Sequence, residues 1–265
     1  MDFLVIGSSV AFLFYILATL AIVTRLFHPK GPNNILVLGL AITAIVVHTF
    51  NDTLLFFSHD SINFNLPNVI SLVTLIITIT VTLVAVRFKV SLLLPVVYGF
   101  AGLWQVVIIF LPPIDSIPLK VEKIILLCHV SFALIAYSIL IIATLFAFQV
   151  TYINAKLKRK NLTAVAHLPP LMQVEKQLFA ILALGTTILF ISQMIGLTFL
   201  DGFLAKEKAH KTVFSLLSLT IYSLILWGHF NKGWRGHRVL IPLFSASVLL
   251  TLAYFGSRFV KEFIL

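Results

Sequence analysis

Four side chains of this 265-residue sequence could hold a metal-centred group from within apolar surroundings: His48, Asp52, His129 and His229. A neutral imidazole offers one ring lone pair to a metal, while its other nitrogen goes to a hydrogen-bond partner that fixes the tautomer. His48 and Asp52 are four positions apart. On a helix they share a face, and the carboxylate could orient the ring for ligation. The same spacing fits a plainer reading, in which the two satisfy each other at a helix contact. His229 opens a different setting, WGHFNKGWRGHR (Trp227–Arg238), where cations, glycines and two tryptophans follow an apolar run.

The elements that must carry these residues are membrane helices. Sixty per cent of the residues are hydrophobic, 11% are charged, and mean hydropathy is +1.09. A soluble fold of this size could not hide so much apolar surface, so the lipid bilayer is part of the solvent. About 20 apolar residues cross a bilayer as a helix. Eight segments meet that length: Phe3–Thr24, Ile35–Phe57, Asn68–Val86, Ser91–Leu111, Glu122–Ile153, Val174–Leu200, Thr212–Phe230 and Val239–Phe263. The expected fold is an all-α, polytopic transmembrane bundle of about eight spans, forming a single domain over residues 1–265. The fifth and sixth spans are long enough to protrude or tilt. The first reads as a retained span, since MDFLVIGSSV has no positive leader region.

Lys and Arg placement orients the bundle. Twelve of the 19 lie in loops 1–2, 3–4, 5–6 and 7–8, counting the adjoining Lys176, against seven on the opposite face. The positive-inside rule then puts WGHFNKGWRGHR in the cytoplasm and both termini outside. His48 lies nine residues before the end of its outward-running span, and His129 seven after the start of its inward-running one. At about 1.5 Å per residue, both sit roughly 10–14 Å below the outer surface. Two histidines at one level on different helices suit bis-imidazole ligation of a b-type haem. His229 lies at the cytoplasmic end and cannot share that iron. His28, His167 and His237 fall on its side, while His59 and His210 belong to outer loops; all five read as solvated loop residues. Gln105, Gln149 and Gln193 read as helix-joining amides, the Gly99/Gly102 pair, Gly185 and Gly196 as close-packing positions. Trp227 and Trp234 read as interfacial anchors.

Other chemistries are poorly represented. The one cysteine, Cys128, permits neither an intramolecular disulfide nor a CxxC or CxxCH site, which excludes thiol oxidoreductase chemistry and covalent c-type haem attachment. There is no GxSxG, HExxH or phosphate-binding glycine loop, and the residues favour a non-enzyme. The net charge of +10 fits membrane loops, and no nucleic-acid motif accompanies it.

With these residues in view, the sequence resembles the integral membrane proteins of the cytochrome c assembly superfamily, in the HemX/YpjD branch and related to CcsA and CcmC. The resemblance spans nearly the whole chain. It is carried by LLLPVVYGFA (Leu92–Ala101), HVSFALIAYSILIIATLFAFQ (His129–Gln149), LPPLMQVEKQLF (Leu168–Phe179), WGHFNKGWRGHR and LTLAYFGSRFV (Leu250–Val260). It implies that His129 takes the position of an outer histidine that ligates haem presented to an apocytochrome. It implies that His229 takes the position of a histidine near the cytoplasmic side, where haem enters within the membrane. His48 resembles a histidine of the YpjD branch and has no counterpart in CcsA. Two departures stand out. The tryptophan-rich outer loop of CcsA and CcmC is replaced by LDGFLAKEKAHK, and a second outer histidine after the last span is missing, since the sequence ends FVKEFIL. The resemblance therefore implies haem handling without the platform for synthetase activity.

Three readings follow. The first is a haem-binding or haem-handling protein of the bacterial inner membrane, with haem b held by His48, His129 and His229 and with Asp52 behind the ligands. Arg258 and Lys123 on the outer side, or Lys232 and Arg235 on the inner, would meet the propionates. The second is an accessory or regulatory membrane subunit, working with a partner membrane protein, that kept the fold without the haem chemistry. The third is a small-molecule transporter, against which stands the lack of an inverted repeat or paired broken helices.

Overall fold

The computed structural model describes residues 2–26, 31–56, 62–88, 90, 92–111, 118–119, 124–159, 169–200, 209–256 and 259. Eight helices account for most of them: α1 Asp2–Val23, α2 Asn34–Phe56, α3 Leu66–Arg87, α4 Leu94–Phe110, α5 Ile124–Lys158, α6 Leu171–Phe199, α7 Ala209–Lys232 and α8 His237–Thr251. A π-helical turn, Leu252–Gly256, continues α8. Two-residue strands, β1 (Ile62–Asn63) and β2 (Pro118–Leu119), pair antiparallel in the connections. The chain is an all-helical polytopic membrane protein. Seven helices have the length and hydropathy of a span, and the eighth, α4, has 17 residues. At 1.5 Å per residue α4 is about 25 Å long, a little under the hydrocarbon thickness. By the same rule α5 reaches about 52 Å and outruns the bilayer, ending on Lys156 and Lys158.

The helix boundaries follow from local chemistry. Asn65 caps α3 by accepting from the Asn68 N–H at 3.0 Å, and Pro67 follows in the first turn, where its missing N–H costs no intrahelical bond. Pro95 opens α4 in the same way. Serine and threonine hydroxyls inside the spans return to carbonyls one turn back, as Thr144 does to Leu140, which satisfies them without water. Large apolar side chains point outward, with Ile35 87% and Phe110 80% exposed, the surface a lipid-facing bundle requires.

The contacts fall into two compact units: residues 1–120 with 156–169, and 121–155 with 170–265. In the first, α1 packs on α2 and α4, and α3 packs on the same two, so the four helices form a ring. Gly102 lets α4 approach α1, where an added Cβ would lie 3.3 Å from the Tyr15 Cβ. Gly99 has open space beside it, so only one of that pair serves packing. In the second unit, α7 packs on α6 and α8. Gly185 of α6 sits against α5, where a Cβ would come within 2.9 Å of Leu140. Thr144 on α5, Tyr222 on α7 and Ser247 on α8 meet in its interior, with Ser247 Oγ 2.6 Å from Thr144 Oγ1 and 3.0 Å from the Tyr222 hydroxyl.

Candidate functional site

His48 and Asp52 belong to the first unit, where a chain of polar groups lies among apolar side chains. Ser71 Oγ on α3 donates to Asp52 Oδ1 at 2.7 Å. A hydroxyl has one proton, so Ser71 Oγ must accept from His48 Nε2–H, 2.9 Å away. The lone pair is then on Nδ1, and the Tyr15 hydroxyl of α1 donates to it at 3.0 Å. His48 Nε2 is 3.6 Å from Asp52 Oδ1, so the carboxylate reaches the ring through the serine. His48 is fully buried, and Asp52 Oδ2 has no hydrogen-bond partner among the described residues. Tyr98 of α4 stacks on Tyr15, with ring centroids 6.1 Å apart, and bonds Thr82 at 2.8 Å. Both ring nitrogens of His48 are thus engaged by the chain itself.

His129 and His229 belong to the second unit and share a different arrangement. His129 is half-buried on α5, and its Nδ1 lies 2.8 Å from the Ser192 carbonyl oxygen of α6. Ser192 Oγ in turn donates to the His129 carbonyl at 3.0 Å. His229 Nδ1 lies 3.2 Å from the Trp234 carbonyl oxygen, and its ring stacks on Phe179 of α6 at 3.3 Å between centroids. A carbonyl oxygen can only accept, so in both residues Nδ1 carries the proton and Nε2 the lone pair. A backbone carbonyl on the far nitrogen is the arrangement that orients metal-ligating imidazoles.

The two histidines stand at different levels. Their partners on α6, Phe179 and Ser192, are thirteen positions apart, or about 20 Å along the helix. One iron cannot take both. No three His, Cys, Asp or Glu side chains converge as a metal shell among the described residues. Haem would need no such shell, since the porphyrin would bring most of the iron's donors and the chain would add only imidazole nitrogens. The donor set of His129 and His229 therefore fits haem. His48 fits it only if Tyr15 releases Nδ1.

His210 and His237 are exposed. His28, His59, His167, Lys123 and Arg258 lie outside the described residues. Lys232 sits over the Trp227 ring, 4.7 Å from its centroid, and Trp227 is half exposed at the end of α7. Trp234 does not point outward as an anchor; its indole folds back onto Gly228. Arg235 Nε pairs with Glu175 Oε1 at 3.2 Å, beside a cleft with room for about one water molecule, lined also by Thr151 and Phe179. Gln105 and Gln149 are buried, and their amides make no helix-joining hydrogen bond among the described residues. Sequence reasoning passed over Tyr15, Ser71 and Ser192. A signal for one existed: Asn68, Ser71, Thr74, Thr78 and Thr82 form a polar stripe at helical spacing on α3, all of it buried.

A polytopic membrane protein with imidazoles held by backbone carbonyls is what the fold and these residues define. Comparison with known proteins supplies the family. The family described as cytochrome C assembly protein matches residues 6–265. The inner membrane protein YpjD of Escherichia coli strain K12 is 39% identical over 202 residues, 76% of either chain. An uncharacterized 28.8 kDa protein in the nifR3-like 5′ region of Azospirillum brasilense is 28% identical over 141 residues, 52% of either chain. No solved structure matches. The chain belongs to the cytochrome c assembly protein family.

Proposed function

We propose that the protein binds haem inside the bacterial inner membrane and handles it in cytochrome c assembly, by ligation and without covalent catalysis. The observation that carries this reading is the shared tautomer of His129 and His229, each with Nδ1–H given to a backbone carbonyl and its lone pair on Nε2. When bound, haem supplies the iron that such lone pairs ligate. The apolar helices around each ring keep water away from it, and the carbonyl partners hold the proton on the far nitrogen. Charge bias in the loops supports an outer level for His129 and a cytoplasmic level for His229, with both termini outside. The inner-membrane assignment rests on the Escherichia coli relative, which carries that location in its name, and on the apolar spans. His48 joins the ligand set only once Tyr15 withdraws its proton from Nδ1; Asp52 then orients the ring through Ser71. The test is titration of haemin into detergent-purified protein: saturable binding that is reduced in His129→Ala and in His229→Ala and abolished in the double variant supports the reading, and a failure to bind sinks it.

A second reading has its own observation. Both nitrogens of His48 are already engaged, and the outer loop LDGFLAKEKAHK carries no tryptophan. An accessory or regulatory subunit that kept the fold for a partner membrane protein fits both facts. A haem-free preparation that retains a stoichiometric membrane partner would favour it.

A further inference from the structure

The end of α7 is built in a way that fixes the His229 ring. Gly233 follows the helix with φ of +65°, a conformation that favours glycine. Its N–H donates to the His229 carbonyl at 3.0 Å, and the Trp234 N–H donates to the Gly228 carbonyl at 3.1 Å. The first is the 5→1 backbone bond of an αL cap, and the second reaches one residue further back along the helix. The cap turns the chain back on itself and brings the Trp234 carbonyl oxygen to His229 Nδ1. It also lays the indole of Trp234 on Gly228, where a Cβ would overlap the ring. On the other side, Phe179 covers the imidazole face with an interplanar angle of 12°. Glu175, one turn before Phe179 on α6, holds Arg235, the residue after Trp234. Carbonyl, aromatic face and ion pair together leave the ring one orientation.

We propose that Gly228, Gly233 and Trp234 are positioning residues that hold His229 in the Nδ1–H tautomer and present its Nε2 lone pair to a haem iron; the iron-facing half of this rests on the haem reading above. Helix termination alone would require only Gly233. The need for a bare Cα at Gly228 and for the Trp234 carbonyl at Nδ1 goes beyond it.

The test uses the full chain, purified haem-free in detergent with ¹⁵N-labelled histidine, and reads imidazole tautomers by NMR. The His229 signal is assigned by its loss in His229→Gln. The wild type is expected to show Nδ1–H at His229. Gly233→Asn, which tolerates positive φ, should keep it. Gly233→Val and Gly228→Ala should give a tautomer mixture and weaken haemin binding at this level at least tenfold. The His129 signal should stay unchanged, which shows that the unit remains folded. Trp234→Phe in the Gly228→Ala background, with its smaller ring, should restore part of the tautomer preference. An Nε2–H tautomer in the wild type, or an unchanged tautomer and affinity in Gly228→Ala, overturns the proposal. If the tautomer shifts as expected but the wild type binds no haemin, the cap's hold on the ring stands and the ligand reading of His229 fails.

Discussion

His129 and His229 meet the same helix thirteen positions apart, the first at Ser192 and the second at Phe179 of α6. About 20 Å of helix separates the two levels, so on the haem reading proposed above they would be separate ligand sites and not a pair on one iron. The expected consequence is additivity. In haemin titrations, His129→Ala and His229→Ala should each remove a distinct fraction of binding, and the double variant should remove the sum. Loss of all binding in either single variant contradicts independent levels.

Much of the architecture is legible in the sequence because membrane spans announce themselves by length and hydropathy, and all eight expected spans correspond to helices. The shared face of His48 and Asp52 follows from their spacing alone. What intervenes does not: Ser71 comes from another helix, nineteen residues beyond Asp52, and Tyr15 from a third, thirty-three before His48. Which hydroxyls meet which ring is decided by how the four helices of that unit pack. The Trp234 carbonyl was hidden for a related reason, since the residue type suggests an indole at the interface, whereas the backbone turn after Gly233 decides where both its indole and its carbonyl go.

Ser71 bridges two buried groups, so Ser71→Ala should leave Asp52 Oδ1 and His48 Nε2 unpaired. The expected loss is about 1–3 kcal/mol of stability, seen as a lowered midpoint in thermal unfolding followed by circular dichroism in detergent. Thr53→Ala, at an exposed position on α2, should change it by about 0.5 kcal/mol or less. Equal effects from the two variants would mean the polar chain contributes nothing to the first unit.

Tyr15→Phe keeps the ring beside His48 and Tyr98 but removes the O–H that occupies Nδ1. If that proton is what withholds His48 from iron, haemin titration of Tyr15→Phe should reveal additional binding, and Tyr15→Phe/His48→Ala should abolish the addition. Unchanged binding in Tyr15→Phe assigns His48 to the hydrogen-bonded chain alone.

Gly185→Val should push α6 away from Leu140 and Ile139 of α5, at a cost of about 1–3 kcal/mol. These two helices also hold His129 against Ser192, so haemin affinity at that level should fall with stability. Gly99→Ala, with open space around it, should be neutral or slightly stabilising through helix propensity. Thermal unfolding and titration of the pair would show whether the α5–α6 contact or helix propensity governs.

The most direct measurement is the pyridine haemochrome spectrum of protein purified in detergent from haem-replete cells, compared with His129→Ala, His229→Ala and the double variant. Ligation by these imidazoles predicts a b-type haemochrome in the wild type, reduced in each single variant and absent in the double. A colourless wild type that takes up no added haemin, or a haem content indifferent to both histidines, would contradict it.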